Sequence, residues 1–330
     1  MTTRSWIRDL LTTVLARLTR RDRPTARPRL GWNGRPLVSP YPRTPATEAS
    51  LPSLRRSRML FLLPSGDDRP CVVRKYGGAC FSTHERLVRV ARQLSVRGEL
   101  PAVVVVSARQ GVTEQLSGQA QELGPHSAPV ARDLLLATGE LQSAALLVTA
   151  VTQLGGRAEV VLPWTVFRTN AEFGNAAIEE VEVAPVRRCL ERGVVPVVPG
   201  FIGATCDGRL TTLGRGGSDY SAVALGVALH AARVELCKAE VDGVYDADPH
   251  THGGARRFDT LTHAEAQRLS RSGAKVLQDK AAALACRWAI PVRVRPAFAE
   301  GPGTTIDSTA ERLPMPRPNE ASTPAVALLV

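Results

Sequence analysis

The chain reads as an α/β protein: an open, mainly parallel sheet with helices on both faces, a three-layer sandwich. Three observations predict it. Short apolar runs alternate with helical segments, glycine-rich turns follow several of the runs, and 330 residues with 44% hydrophobic content suffice to bury a full core. The runs are 71–73, 102–106, 158–162, 194–198, 234–237 and 291–294, with helices expected at 84–97, 132–154, 184–192, 219–232, 263–270 and 274–287. Apolar strands need cover on both faces, and each parallel crossover lays a helix across the sheet. Ligands of such folds sit beyond the carboxyl ends of the strands, where the glycine-rich turns fall.

This pattern spans residues 70–307, and the flanks differ from it. Residues 1–69 form a basic arm with a short amphipathic helix expected at about 5–19, where Ile7, Leu10, Leu11, Val14, Leu15 and Leu18 share a face. Beyond it the arm is rich in Arg, Pro and Ser without a sustained period, which predicts a largely disordered linker, and the Pro-rich tail at 308–330 reads the same way. Residues 1–70 hold 14 Arg and no Lys against five acidic residues, so they carry +9 of the chain's formal +11. The arm could therefore meet an anionic partner, whereas the body has no charge support for nucleic-acid binding.

The six cysteines form no Cys-x-x-Cys pair and no Cys/His cluster, which predicts neither a zinc site nor a disulfide framework and favours a reducing cytoplasm. Arg8, Asp9 and Arg17 interrupt the first apolar face and no small-residue cleavage site follows, so a secretory leader is not expected. No run reads as long and apolar enough to span a membrane.

Only four of the 42 basic residues are lysines: Lys75, Lys238, Lys275 and Lys280. In a chain that uses Arg for solvated charge, a lysine marks a place that needs a compact ammonium, unless the four are chance survivors.

The candidate chemistry follows the strands. Lys75-Tyr76-Gly77-Gly78 closes the first strand with a cation beside two residues that let backbone N–H groups approach an anion; a plain strand-to-loop turn would look similar. Ser107 to Thr113 is a second turn carrying hydroxyls and a glycine, suited to phosphate or substrate. Glu140 stands in a helix otherwise full of Leu and Ala, either as a solvated residue or as the partner of a substrate ammonium. The strongest segment is Thr211-Thr212-Leu213-Gly214-Arg215-Gly216-Gly217-Ser218-Asp219, which opens an apolar helix that Ser218 or Asp219 is expected to cap. Three glycines, a forked cation and a cap exceed what a turn needs.

Further on, Glu240 to Pro249 is an acidic turn whose Asp spacing does not fit a calcium loop, and Ser272-Gly273-Ala274-Lys275 places a lysine at an expected helix start. Together these pieces describe phosphoryl transfer by positioning and charge, without covalent protein chemistry and without a Gly-x4-Gly-Lys loop.

The order of these motifs resembles the amino-acid kinase superfamily, and within it the aspartate kinases, over residues 70–307. Lys75-Tyr76-Gly77-Gly78 matches that family's Lys-Phe-Gly-Gly. Thr211 to Asp219 matches its most distinctive signature, and Val241-Asp242-Gly243-Val244-Tyr245 and Gly273-Ala274-Lys275 follow in order.

The resemblance implies transfer of the γ-phosphate of MgATP to the β-carboxylate of L-aspartate, the step leading to lysine, threonine and methionine, by a homo-oligomer such as a dimer. It implies that Lys75 and Lys275 stabilise the phosphoryl group and that Asp219 organises them. The amino acid would be held by Thr113, Glu140, Arg215 and Ser218. The ATP contacts would be Lys75, Gly77, Gly78, Ser107, Gly216, Gly217, Ala239, Glu240, Tyr245 and Lys275; the protein itself would supply no metal ligands.

The chain departs from the pattern at Ala79-Cys80, where Thr-Ser is usual, and at Ala239-Glu240, His250 and Gln278-Asp279. A thiol for a hydroxyl predicts slower transfer or another acceptor. The resemblance ends before the family's regulatory domains, so feedback by that route is not expected. The alternatives are a kinase of another amino acid or small carboxylate, and a kinase-like binding or regulatory protein acting through its arm.

Overall fold

The computed structural model describes residues 60–61, 70–96, 98, 100–124, 128–247, 249, 252–271 and 277–308. The rest of the arm with its expected helix, His250, the Ser272 to Lys275 motif and the tail from residue 309 lie outside the described residues, while Leu60–Phe61, expected within a disordered linker, form a strand paired with Glu180 and Val181. The chain order is β1 (Leu60–Phe61), β2 (Val72–Tyr76), α1 (His84–Ser95), β3 (Ala102–Val106), α2 (Val112–Glu122), α3 (Pro129–Gln153), β4 (Ala158–Val160), β5 (Phe167–Thr169) and β6 (Ile178–Val181). It continues with α4 (Ala184–Glu191), β7 (Val195–Pro199), β8 (Ile202–Ala204), β9 (Leu210–Thr212), α5 (Gly217–Ala228), β10 (Arg233–Lys238), β11 (Val244–Tyr245) and β12 (Arg257–Phe258). The last elements are β13 (Thr260–Leu261), α6 (His263–Arg271), α7 (Asp279–Trp288), β14 (Val292–Pro296) and β15 (Thr304–Ile306).

Among the described residues, eight strands form the main sheet in the order β13-β15-β14-β10-β2-β3-β7-β4, and every neighbouring pair is parallel except β14 with β15. Val73, Val105, Val198 and Leu236 face α5 and α7. Tyr76, Val104, Val106 and Val197 face α1 and α3. The two-sided burial explains why these strands are continuous valine runs rather than alternating ones.

A second, five-stranded mixed sheet, β1-β6-β5-β8-β9, lies against the other side of α5 through residues such as Phe167, Ile178 and Leu213. The sequence suggests only one of its strands, a buried-looking run after Gly200 that ends in a turn through Asp207-Gly208 and corresponds to β8; the others, of two to four residues, are too short to show a period. Its presence explains α5, in which every residue from Gly217 to Ala228 is buried. A helix enclosed between two sheets has no polar face to alternate with.

Helix boundaries shift in three informative places. α3 begins at Pro129 rather than 132, because proline is favoured in the first turn. α5 begins at Gly217 rather than 219. α7 begins at Asp279 rather than 274, since Gln278 is extended and its side chain accepts a 3.2 Å hydrogen bond from the Ala281 N–H. α2 is an additional helix. The expectation of no span-length apolar segment is also revised, because α3 runs 25 residues with a mean hydropathy of 1.6 over its most apolar window. It packs on the main sheet through Ala144, Leu147 and Val151 and carries two buried carboxylates, as a core helix does.

Candidate active site

The parallel register brings the ends of β2, β3, β7 and β10 to one edge, and the site is built there. Lys75 stands opposite Leu236 of β10, which fixes its side chain on the α5 face of the sheet. Asp219, in the first turn of α5, meets it: Lys75 Nζ lies 2.8 Å from Asp219 Oδ1. Burial works against ionising Asp219, yet the ammonium groups of Lys75 and Lys238 hold its carboxyl below the usual range. Lys238 lies two residues beyond Leu236 and so shares the face of Lys75. Burial pulls its ammonium below the ordinary lysine value, while Asp219 pulls the other way.

After β2 the chain turns through Gly77 and Gly78 into a 3-10 turn, Gly78–Phe81. A Cβ on Gly78 would stand 2.5 Å from the Ala108 carbonyl oxygen, so only glycine lets this turn dock on the loop after β3. The Gln110 N–H donates to the Gly78 carbonyl at 3.2 Å. Arg109 ties the same loops together, its Nε and Nη2 donating to the carbonyls of Phe81 and Ser82 at 2.9 and 3.1 Å.

α3 supplies two buried carboxylates. Glu140 is 3% exposed; its Oε1 accepts from the Ala108 N–H at 3.1 Å, and its Oε2 has no partner among the described residues. Burial raises its pKa to about 7. Gly139 makes this contact possible, because a Cβ there would meet Ala108 Cβ at 2.9 Å. One turn into the helix, Asp133 accepts from the Thr212 and Gly174 N–H groups at 2.7 and 2.9 Å and from the Thr212 hydroxyl at 3.0 Å.

Thr212 leads into the glycine turn, where Gly214 and Gly216 adopt φ of +82° and +73°. The expected cap is corrected: Gly216 is the N-cap of α5 and no side chain caps it, while Ser218 and Asp219 sit within the first turn. Their side chains are thereby left for the site. Arg215 is exposed at the rim and Ser218 is buried. Phe201, at φ +66°, is held in that left-handed conformation by the Ser221 hydroxyl accepting from its N–H at 3.0 Å and by its carbonyl accepting from the Leu213 N–H at 2.9 Å.

A cavity of about 670 Å³ joins these parts, and Lys75, Ser107, Thr113, Glu140, Arg215, Gly216, Gly217 and Ser218 all line it. Gly77 and Asp219 adjoin it through Lys75. Ala239, Glu240 and Tyr245 follow β10 outside its lining. There Arg86 Nη1 binds Glu240 Oε1 at 2.7 Å and the Tyr245 hydroxyl donates to Asp242 Oδ1 at 2.6 Å. Cys80 belongs to the core: it is fully buried, its thiol donates to the Cys237 carbonyl at 3.5 Å, and burial raises its pKa to about 11. Lys275 lies outside the described residues.

Sequence reasoning missed Asp133 and Phe201 and gave no role to Lys238, which it had singled out. The scarcity of lysine was a usable signal for Lys238; a lone Asp in an apolar helix and a Phe after glycine carry none. Lys280, another of the four, donates to the carbonyls of Asn175 and Ala176 at 2.8 and 3.1 Å and so anchors the loop beside Gly214.

The family model described as "Amino acid kinase family" matches residues 70–296. The chain is 37% identical to the aspartokinase of Mycolicibacterium smegmatis over 248 residues, covering 74% of this chain and 59% of that protein. It is 37% identical to the aspartokinase of Pseudomonas aeruginosa over 257 residues, covering 74% and 60%. The chain thus spans about three-fifths of the length of the curated relatives it matches. Among solved structures it is similar to E. coli aspartokinase III in complex with aspartate and ADP, with a TM-score of 0.64 and 29% identity over 73% of this chain and 65% of that one.

Proposed function

The chain belongs to the amino acid kinase family, and on that premise we propose that it transfers the γ-phosphoryl group of ATP to the side-chain carboxylate of L-aspartate, giving 4-phospho-L-aspartate and ADP. One observation carries the reading. In a single cavity, the unpartnered buried oxygen of Glu140 and the guanidinium of Arg215 stand beside the Lys75–Asp219 pair. That is a receptor for an ammonium and a carboxylate next to a cation suited to a phosphoryl group.

Glu140 receives the α-ammonium, whose charge favours the ionised form that burial alone disfavours. Arg215 takes the α-carboxylate through its fork. Thr113 and Ser218 offer hydroxyls to the acceptor. The side-chain carboxylate, already ionised, attacks the γ-phosphorus as the bond to the β–γ bridging oxygen breaks, and no general base is needed. Lys75, joined by Lys275, offsets charge on the transferring oxygens, and Asp219 keeps the Lys75 ammonium in place. Gly77, Gly78, Gly216 and Gly217 let backbone N–H groups reach the phosphates, and Ser107, Ala239, Glu240 and Tyr245 border the nucleotide.

Mg2+ would be held by the nucleotide phosphates rather than by a protein cage. Cys80 speaks against a changed acceptor, because its thiol points to the Cys237 carbonyl in the core and not into the cavity.

Incubation with MgATP and an acceptor, with the acyl phosphate trapped as hydroxamate, tests the reading. L-Aspartate is expected to give product, and succinate, which lacks the amino group, to give at least tenfold less. Folded protein that turns over no aspartate would end it.

A further inference from the structure

Resting on that reading, we propose that Asp133 is a positioning residue that sets the distance between Glu140 and Arg215, and so selects acceptors bearing an amino group and a carboxylate on one carbon.

The observations are geometric. Asp133 is 1% exposed and lines the cavity, yet its carboxylate is filled by three neutral donors, two N–H groups and the Thr212 hydroxyl. It is therefore committed to protein and does not serve as a ligand. Thr212 is in turn fully used, since its carbonyl accepts from the Ala176 N–H at 2.9 Å. Three residues on comes Arg215. On the helix, seven residues or about 10 Å separate Asp133 from Glu140, which puts both carboxylates on one face. α3 is thus fixed at one end to the turn that presents Arg215 and at the other, through Glu140, to Ala108 of the loop after β3. The two groups that would grip the ends of an amino acid are held apart by one rigid helix.

The test is Asp133→Ala. The acceptor KM is expected to rise tenfold or more and the ATP KM by clearly less, since Gly216 of the same turn also serves the nucleotide, with amide protons of residues 210–216 exchanging faster than in the wild type. Asp133→Asn, which retains an oxygen for the two N–H groups, is expected to stay within threefold. Should Asp133→Ala fail to fold, Asp133→Asn combined with Thr212→Val weakens the same contacts and carries the comparison. Unchanged exchange at 210–216, or equal rises in the KM for ATP and for acceptor, overturns the proposal. A wild type without acceptor turnover would instead count against the functional reading, and the exchange measurement would still decide whether Asp133 holds the turn.

Discussion

Lys75 Nζ lies 2.8 Å from Asp219 Oδ1, and each side chain is 9% exposed. This close ion pair holds the ammonium in place and leaves its remaining donors for a ligand. Lys238 on the same face adds a second positive charge for one carboxylate. The resulting excess of positive charge favours an anion such as a phosphoryl group.

From this pair follows a separation of activity from stability. Lys75→Met and Asp219→Asn should each lower kcat by about 10²–10³. Asp219→Asn leaves buried positive charge uncompensated, at a cost of about 3–5 kcal/mol, and Lys75→Met should cost less because Lys238 still faces Asp219. The double variant Lys75→Met/Asp219→Leu should recover much of that stability without recovering turnover. Urea denaturation alongside steady-state kinetics checks both; a double variant no more stable than the singles would show the pair is not the source.

Glu140 should carry a pH signature. Its folded pKa of about 7 exceeds the ordinary value of 4.5, so between those values the folded state holds a proton that the unfolded state has lost. Stability therefore falls as pH rises from about 4.5 to 7 and levels off above. Glu140→Gln should remove that slope and gain roughly 1–3 kcal/mol at pH 8, while raising the aspartate KM at least tenfold. In the wild type, kcat/KM for aspartate should fall as pH drops below about 7, where Glu140 protonates. Thermal melts across pH and an acceptor titration measure the two effects.

The main sheet was legible because its strands are buried on both faces and write themselves as runs such as Val103 to Val106. The glycine turn and Lys75 were legible because their residue types are chemically unusual where they stand. The five-stranded sheet was legible only in β8, its other pieces being shorter than a detectable period. Glu140 could be named from sequence with both of its readings open, and the fold removes the solvated one by burying it. Asp133 and Phe201 act through backbone groups far along the chain, Thr212 and Leu213, and nothing local records such partnerships.

Neighbouring glycines should respond differently to a methyl group. At Gly78 it would lie 2.5 Å from the Ala108 carbonyl and 3.0 Å from the Gln110 nitrogen, both backbone, so two loops must separate. Gly78→Ala is expected to cost about 1–3 kcal/mol and most of the activity. At Gly77 the nearest atom is Lys75 Nζ at 3.5 Å, an ordinary contact. Gly77→Ala should therefore melt like the wild type and show its effect in the ATP KM, because the methyl group occupies space beside the ammonium.

Glu235 gives the opposite pH sign on the opposite face of the sheet. It is 2% exposed on β10, with Arg74 Nε and Arg295 Nη1 at 3.1 and 3.2 Å from Oε2 and Arg233 Nε at 2.8 Å from Oε1. Burial alone would raise its pKa, but Arg74 and the other two arginines hold it below the usual range. Stability from this cluster is thus present above the unfolded value near 4.5 and is lost as pH falls through the folded one. The arginines are partly exposed, which screens the attraction, so Glu235→Gln should cost about 2 kcal/mol at pH 7. The difference from wild type should narrow on acidification. Because Glu235 pairs in register with Arg74 while Lys75 pairs with Leu236, it faces away from the cavity, and neither KM should move. Denaturation at pH 7 and pH 4 beside kinetics at pH 7 decides the matter: a shifted KM would mean that strain passes through β10 to Lys238 and the site.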